Sequence, residues 1–209
     1  AITNHNSFAD KVYDLQDKIV LITGGSRGIG FSMATELLRN GIKGITLVNV
    51  NIKNGQKAAK ELNKKFGHGK AIFIPADVRN SEQLENAYKI SYTYWKGLDI
   101  VINNAGIADE VNWKKMIDVN IVGVLQSTFL GFKYMSKGRG GQGGVIINTA
   151  SFLGIDPFSY IPIYSASKHF VIGLGRALGD KTYYDYNQIR VLTLCPGFTQ
   201  TDIVESAIN

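Results

Sequence analysis

Six short apolar runs, each separated from the next by a longer amphipathic stretch, constrain this chain more than any single motif. The runs are Lys18–Thr23, Gly44–Val50, Ala71–Pro75, Leu98–Ile102, Val145–Thr149 and Ile189–Leu194. Most are apolar at consecutive rather than alternate positions, the pattern of strands covered on both faces. The stretches between them, Ile29–Asn40, Asn54–Phe66, Ser81–Trp95, Asn112–Lys137 and Ile163–Tyr184, are helix candidates. Gly41 and Gly67 are placed to end helices, and Ser81 to cap one. This alternation predicts parallel neighbours joined by right-handed crossovers. The expected fold is α/β in three layers: a doubly wound parallel sheet with helices on both faces. The length of 209 residues suits one such domain, here 18–209, after a polar extension over 1–17. Gly138–Gly144 reads as a glycine-rich turn before the fifth strand.

The first apolar run leads into Thr23-Gly24-Gly25-Ser26-Arg27-Gly28-Ile29-Gly30: a strand end, a glycine turn and a helix start. Glycines there let the backbone turn tightly against a pyrophosphate, and the helix offers free N–H groups and a positive dipole end. The spacing is G-x3-G-x-G rather than G-x-G-x-x-G. The context still makes the sheet Rossmann-like, with dinucleotide phosphates expected over Gly24, Ser26, Arg27, Gly28, Ile29 and Gly30. The second run ends at Asn49, where NAD sites commonly place an acid for the ribose hydroxyls. A neutral amide would not repel a 2′-phosphate, and Arg27, helped by Lys53, could pair with one. Solvated cations are the plain alternative. The cofactor expectation is NADP or NAD, with this arrangement favouring NADP. Asp77-Val78 and Asn104-Ala105-Gly106 follow the third and fourth runs, at the carboxyl ends of strands where open α/β sheets bind ligands.

Tyr164 and Lys168 lie four residues apart, on one face of a helix. An ammonium close to a phenol favours the phenolate and lowers a pKa that otherwise lies near ~10. Such a phenol exchanges protons nearer neutral pH. Alone, the pair would read as a solvated helix face; its neighbours give it weight.

Those neighbours are Thr23-Gly24-x-x-x-Gly28-x-Gly30, Asp77, Asn103-Asn104-Ala105-Gly106, Asn120, Ser151, and Pro196-Gly197 followed by Thr201. In order and spacing the set resembles the short-chain dehydrogenase/reductase family over nearly the whole chain. Asn112-Trp113-Lys114-Lys115, Tyr134-Met135-Ser136-Lys137, Ala166-Ser167-Lys168-His169 and Cys195-Pro196-Gly197-Phe198 look like the 15-hydroxyprostaglandin dehydrogenase group. Lys181-Thr182-Tyr183-Tyr184 is similar to insect-type alcohol dehydrogenases. The resemblance implies an NAD(P)-dependent oxidoreductase that moves a hydride between a nicotinamide cofactor and a secondary alcohol or ketone.

The resemblance also implies roles. Tyr164 would be the general acid/base on the substrate oxygen. Lys168 would lower the tyrosine pKa and hydrogen-bond the nicotinamide ribose. Ser151 would hold the substrate oxygen, and Asn120 would anchor a water relaying protons from Lys168. Pro196 and Gly197 would lie near the carboxamide, with Thr201 as its hydrogen-bond partner. Ser151 could equally cap the segment after its strand. Asn120 is a poor helix former in mid-pattern, so a local kink with a bound water is expected. His169 reads as a surface or packing histidine and Cys195 as a small apolar core residue. Two departures stand out: the acid expected at Asn49 is missing, and the substrate lid and final strand of the family are expected to lie outside residues 1–209.

Phe152 to Pro162, apolar and aromatic, joins Ser151 to Tyr164. With Phe152 and Phe158 as substrate contacts, it favours a lipophilic alcohol or ketone, of steroid, prostanoid or terpenoid type, over a sugar. The resemblance implies a homodimer or homotetramer built on the stretches 112–137 and 163–184. The net charge of +6 comes from scattered lysines, without a dense basic run carrying aromatics, so no nucleic-acid partner is expected. No run of about 18 apolar residues exists to span a membrane. The single cysteine excludes an internal disulfide and a cysteine metal cluster, and no metal is expected. With a polar N-terminus, this predicts a cytoplasmic protein. Two other classes stay open: a catalytically silent cofactor-binding protein serving regulation or ligand storage, and an RNA-binding role resting on charge alone.

Overall fold

The computed structural model describes residues 13–197. The strands are β1 (Ile19–Thr23), β2 (Gly44–Asn49), β3 (Ala71–Pro75), β4 (Ile100–Asn103), β5 (Gly144–Thr149) and β6 (Ile189–Leu194). All pair in parallel, in the order β3-β2-β1-β4-β5-β6. The helices are α1 (Gly28–Arg39), α2 (Ile52–Phe66), α3 (Ser81–Trp95), α4 (Trp113–Ile117), α5 (Val124–Met135), α6 (Pro162–Leu178) and α7 (Lys181–Asn187). The consecutive apolar residues of β1 are explained by its central position. Leu21 packs with Tyr88 and Trp95 of α3 and Met135 of α5. Val20 and Ile22 face the other way, onto Ala34 and Leu38 of α1 and Ala58 and Leu62 of α2. The strand order reverses between β1 and β4, which opens a crevice at their carboxyl ends.

Buried polar groups tie helices to strands. Trp95 Nε1 donates to Thr46 Oγ1 at 2.8 Å, and Thr46 Oγ1 lies 2.8 Å from Ser91 Oγ. Each buried group thus keeps a partner, and α3 is registered against β2. Tyr13 and Leu15 pack against the α1–α2 side of the sheet.

Three local expectations are corrected. Asn80, not Ser81, caps α3: its side chain accepts from Gln83 N, and Ser81 is the first helical residue. Both residue types cap well, and the position one step earlier satisfies the deeper N–H. The stretch 112–137 is not one helix but α4, a π turn over Asp118–Gly123, and α5. The stretch 163–184 breaks at Gly179 and Asp180, where the Asp180 side chain accepts from Thr182 N and starts α7. Gly67, with φ of 112°, does end α2. Among the described residues, no helix is long and apolar enough to cross a membrane.

Candidate active site

A cleft of about 990 Å³ crosses the carboxyl ends of the strands. Its wall includes Gly24, Arg27, Gly28, Ile29, Asn49, Asp77, Val78, Asn104, Ala105 and Gly106 along one half. Ser151, Phe152, Phe158, Tyr164, Lys168, Pro196 and Gly197 line the other half. Ser26, Gly30 and Asn120 stand behind this wall, and Thr201 lies outside the described residues.

At the phosphate end, β1 stops at Thr23 and Gly24 turns the chain with φ of +66°. A Cβ there would also sit 2.9 Å from Ala105 Cα. Asn104 stitches this turn to β4: its Nδ2 donates to the carbonyls of Thr23 at 3.2 Å and Gly24 at 3.1 Å. The backbone N–H groups of Asn104 and Ala105 donate to Thr23 Oγ1 at 3.1 and 3.2 Å. Gly30 serves packing, since a Cβ would come within 2.5 Å of both Gly24 O and Asn104 Nδ2. Arg27, the N-cap of α1, makes no side-chain capping bond, and the first turn holds no acid. A glycine turn below a helix N-terminus that has no side-chain cap bond fits a pyrophosphate.

At the ribose end, Asn49 Nδ2 donates to Ser26 Oγ, and Asn49 Oδ1 accepts from Asn51 N at 3.1 Å. Asp77 accepts from Arg79 Nε at 3.0 Å and from Nη2 at 2.5 Å. That pairing holds the Asp77 carboxyl below its usual range.

The catalytic end is built on α6. Tyr164 and Lys168 are buried one turn apart, with Lys168 Nζ 5.6 Å from the tyrosine ring centroid. Lys168 Nζ donates to Thr149 O at 2.9 Å. Burial pushes the Lys168 ammonium down to about 8, with Cys195 nearby opposing the shift. Burial raises the Tyr164 phenol, against a hydrogen bond with Ser151 that lowers it. In the free protein this departs from the simple expectation of a phenol lowered by its lysine: desolvation is the largest cause and sets the direction. The capping part anticipated for Ser151 is present: Oγ accepts from Leu153 N at 3.2 Å and caps the turn Phe152–Gly154.

Asn120 lies in the π turn, so the local irregularity expected from a mid-helix asparagine is present. Its side chain clamps a backbone: Oδ1 accepts from Ile107 N at 2.9 Å and Nδ2 donates to Ile107 O at 2.9 Å. Nδ2 also donates to Ser167 Oγ at 3.1 Å. Gly106 completes the join, as a Cβ there would meet Lys168 Nζ at 3.3 Å and Asn120 Oδ1 at 3.4 Å. His169 Nδ1 sits 2.9 Å from Ser165 O, one turn back on its own helix.

Several contributors escaped the sequence reading. Glu110 Oε1 accepts from Tyr164 N at 2.8 Å, and Oε2 accepts from Ile163 N at 3.2 Å. The signal was negative: α6 begins Ile161-Pro162, with no capping side chain of its own. Below the crevice, Asn103 Nδ2 donates to Asn148 Oδ1 at 2.8 Å and to Thr128 Oγ1 at 2.9 Å, joining β4, β5 and α5. Among the described residues, no group of three or more His, Cys, Asp or Glu could hold a metal ion.

Comparison with known proteins agrees with this arrangement. The sequence model of the short chain dehydrogenases matches residues 18–209. The NAD(+) 15-hydroxyprostaglandin dehydrogenase of Homo sapiens is 39% identical over 90% of this chain and 71% of its own length. Alcohol dehydrogenase 1 of Ceratitis capitata is 32% identical over 90% of this chain and 73% of its own. Among solved structures, a short chain dehydrogenase/reductase from Burkholderia phymatum in complex with NAD superposes with a TM-score of 0.85 at 24% identity, covering 93% of this chain and 70% of that one. The 3-ketoacyl-(acyl-carrier-protein) reductase of Brucella melitensis, complexed with NADH, gives 0.82 at 26%, covering 92% and 80%. The chain belongs to the short-chain dehydrogenase/reductase family of oxidoreductases.

Proposed function

We propose that this protein oxidises a lipophilic secondary alcohol, or reduces the matching ketone, with Tyr164 as the general acid/base. The observation that carries this reading is the gathering of Ser151, Tyr164 and Lys168 on one wall of the cleft, with Tyr164 and Lys168 buried one turn apart. When bound, the nicotinamide dinucleotide supplies or accepts the hydride. Gly24, Gly28 and the first turn of α1 would hold its pyrophosphate. Asn49 and Asp77 would face the adenine-ribose half, and Lys168 the nicotinamide ribose. In oxidation, Tyr164 takes the alcohol proton while Ser151 orients the substrate oxygen. In reduction the phenol returns that proton, and both hydroxyls stabilise the negative charge growing on oxygen. A phenol held protonated by burial is ready to donate; an approaching cation would bring it toward phenolate for the reverse step. Phe152, Leu153, Phe158, Tyr160 and Ile161 form the apolar side of the cleft, which supports a lipophilic substrate.

The cofactor we assign is NAD. Its support is the NAD(+) specificity named for the prostaglandin dehydrogenase relatives. The preference for NADP read from Asn49 and Arg27 finds no support among them. We also propose self-association through α5, which presents exposed Phe129 beside Val122 of the π turn; light scattering of a monomer at micromolar concentration would remove it.

The test follows absorbance at the nicotinamide band across a panel of lipophilic alcohols and ketones, with NAD and NADP in parallel. Turnover by wild type and its loss, by at least a thousandfold, in Tyr164→Phe are expected. Full activity in Tyr164→Phe would refute the mechanism.

A further inference from the structure

Thr149 presents a buried hydroxyl with no partner among the described residues. It is the last residue of β5 and is 7% exposed. Among the described residues its Oγ1 has no hydrogen-bond partner. A buried unpaired hydroxyl costs roughly 1–3 kcal/mol, so folded proteins keep few of them, and each calls for a reason. Three other buried polar atoms share this condition among the described residues: Asn103 Oδ1, Asn148 Nδ2 and Gln126 Oε1. None of those residues lines the cleft, whereas Thr149 does.

The position within the cleft is specific. The carbonyl of Thr149 accepts from Lys168 Nζ at 2.9 Å, and Ser151 follows two residues later. The glycine turn that fits the pyrophosphate comes from the far side of the sheet's switch point, at the end of β1. The hydroxyl therefore belongs to the nicotinamide half of the site. That half offers ribose hydroxyls and a carboxamide, each able to exchange a hydrogen bond with a threonine hydroxyl.

We propose that Thr149 is a cofactor-binding residue whose side-chain hydroxyl hydrogen-bonds the nicotinamide-ribose half of the dinucleotide. The assignment rests on the oxidoreductase reading above. It makes one residue serve twice: its carbonyl holds the lysine, and its hydroxyl holds the ligand beside that lysine. The cost of leaving Oγ1 unpaired in the free protein is recovered when the cofactor arrives.

The test uses the whole chain as wild type, Thr149→Val and Thr149→Ser. NAD and ADP affinities are measured by calorimetry, and thermal stability is measured without ligand. ADP reports the adenine half alone. Thr149→Val is expected to melt higher than wild type, because an unpaired buried hydroxyl becomes a methyl of similar size. The same variant should bind NAD about five- to tenfold more weakly, the worth of one neutral hydrogen bond, and ADP within twofold. Thr149→Ser should bind NAD within threefold of wild type. Unchanged NAD affinity in Thr149→Val would reduce the hydroxyl to a packing defect and overturn the assignment. Equal weakening of NAD and ADP would overturn it too, as a distortion of the whole cleft. A wild-type chain that binds ADP but neither NAD nor NADP would instead refute the oxidoreductase reading on which the assignment rests.

Discussion

Lys168 shows how a single buried side chain sets a pH dependence. Its ammonium titrates near about 8 in the folded protein, below its ordinary value, because burial disfavours the charge. An unfolded chain binds that proton up to about 10.4. Between these values the unfolded state carries more protons, so folding stability rises with pH. The destabilisation is fully present below about 8 and fades toward the unfolded value. Its size is on the order of 3 kcal/mol by the unit-shift conversion. Urea unfolding of the cofactor-free protein from pH 7.5 to 9.5 is expected to show stability gained relative to Lys168→Met. Parallel curves for the two proteins would contradict a depressed lysine. The raised Tyr164 phenol acts above this window and in the opposite sense. That these two residues and Ser151 would line one cleft was legible in the sequence because motifs spread along the whole chain pointed to them together. Their protonation balance was not, since it depends on how deeply the fold buries each group.

Elements were legible where the apolar pattern is uniform and blurred where one polar side chain redirects the backbone. The six strands stand within two residues of their expected limits, because central strands need unbroken apolar runs. The fourth and fifth helical stretches misled for a shared reason. Asn120 and Asp180 each bond to nearby backbone, one at Ile107 and the other at Thr182, and so interrupt a periodicity that their flanks continue. Glu110 was invisible because it caps a helix from another loop. Removing it leaves two N–H groups of the α6 first turn without a protein acceptor. Glu110→Ala should lose about 1 kcal/mol, the usual worth of a cap, and melt about 3 °C lower by calorimetry. Gly30→Ala tests the packing of the glycine turn. Its Cβ would enter the space of Gly24 O, which is backbone and cannot rotate away. A loss of roughly 2 kcal/mol is expected, together with weaker NAD binding; wild-type stability would show the turn to be compliant.

For the molecule as a whole, the two halves of the sheet meet at the cleft, so a ligand there bridges β1 and β4 with their partners. Binding to the folded state alone stabilises by about 2.7 kcal/mol at a hundredfold excess over Kd. In a chain of this size that corresponds to a rise of roughly 5–10 °C. Scanning fluorimetry with NAD should show it, and a larger shift with NADP would reverse the cofactor assignment. The strand order carries a further consequence, for synthesis. With every pairing parallel, no strand finds its neighbour through a hairpin. Strand β1 flanks β4, which follows roughly 80 residues later. At ribosomal speeds of about 5–20 residues per second, Val20, Leu21 and Ile22 wait some 4–16 seconds before that side can close. The site can exist only after β6 delivers Pro196 and Gly197 to it. A growing chain halted before β4 would therefore display the most apolar strand of the protein unpaired on one edge, a target for holding chaperones.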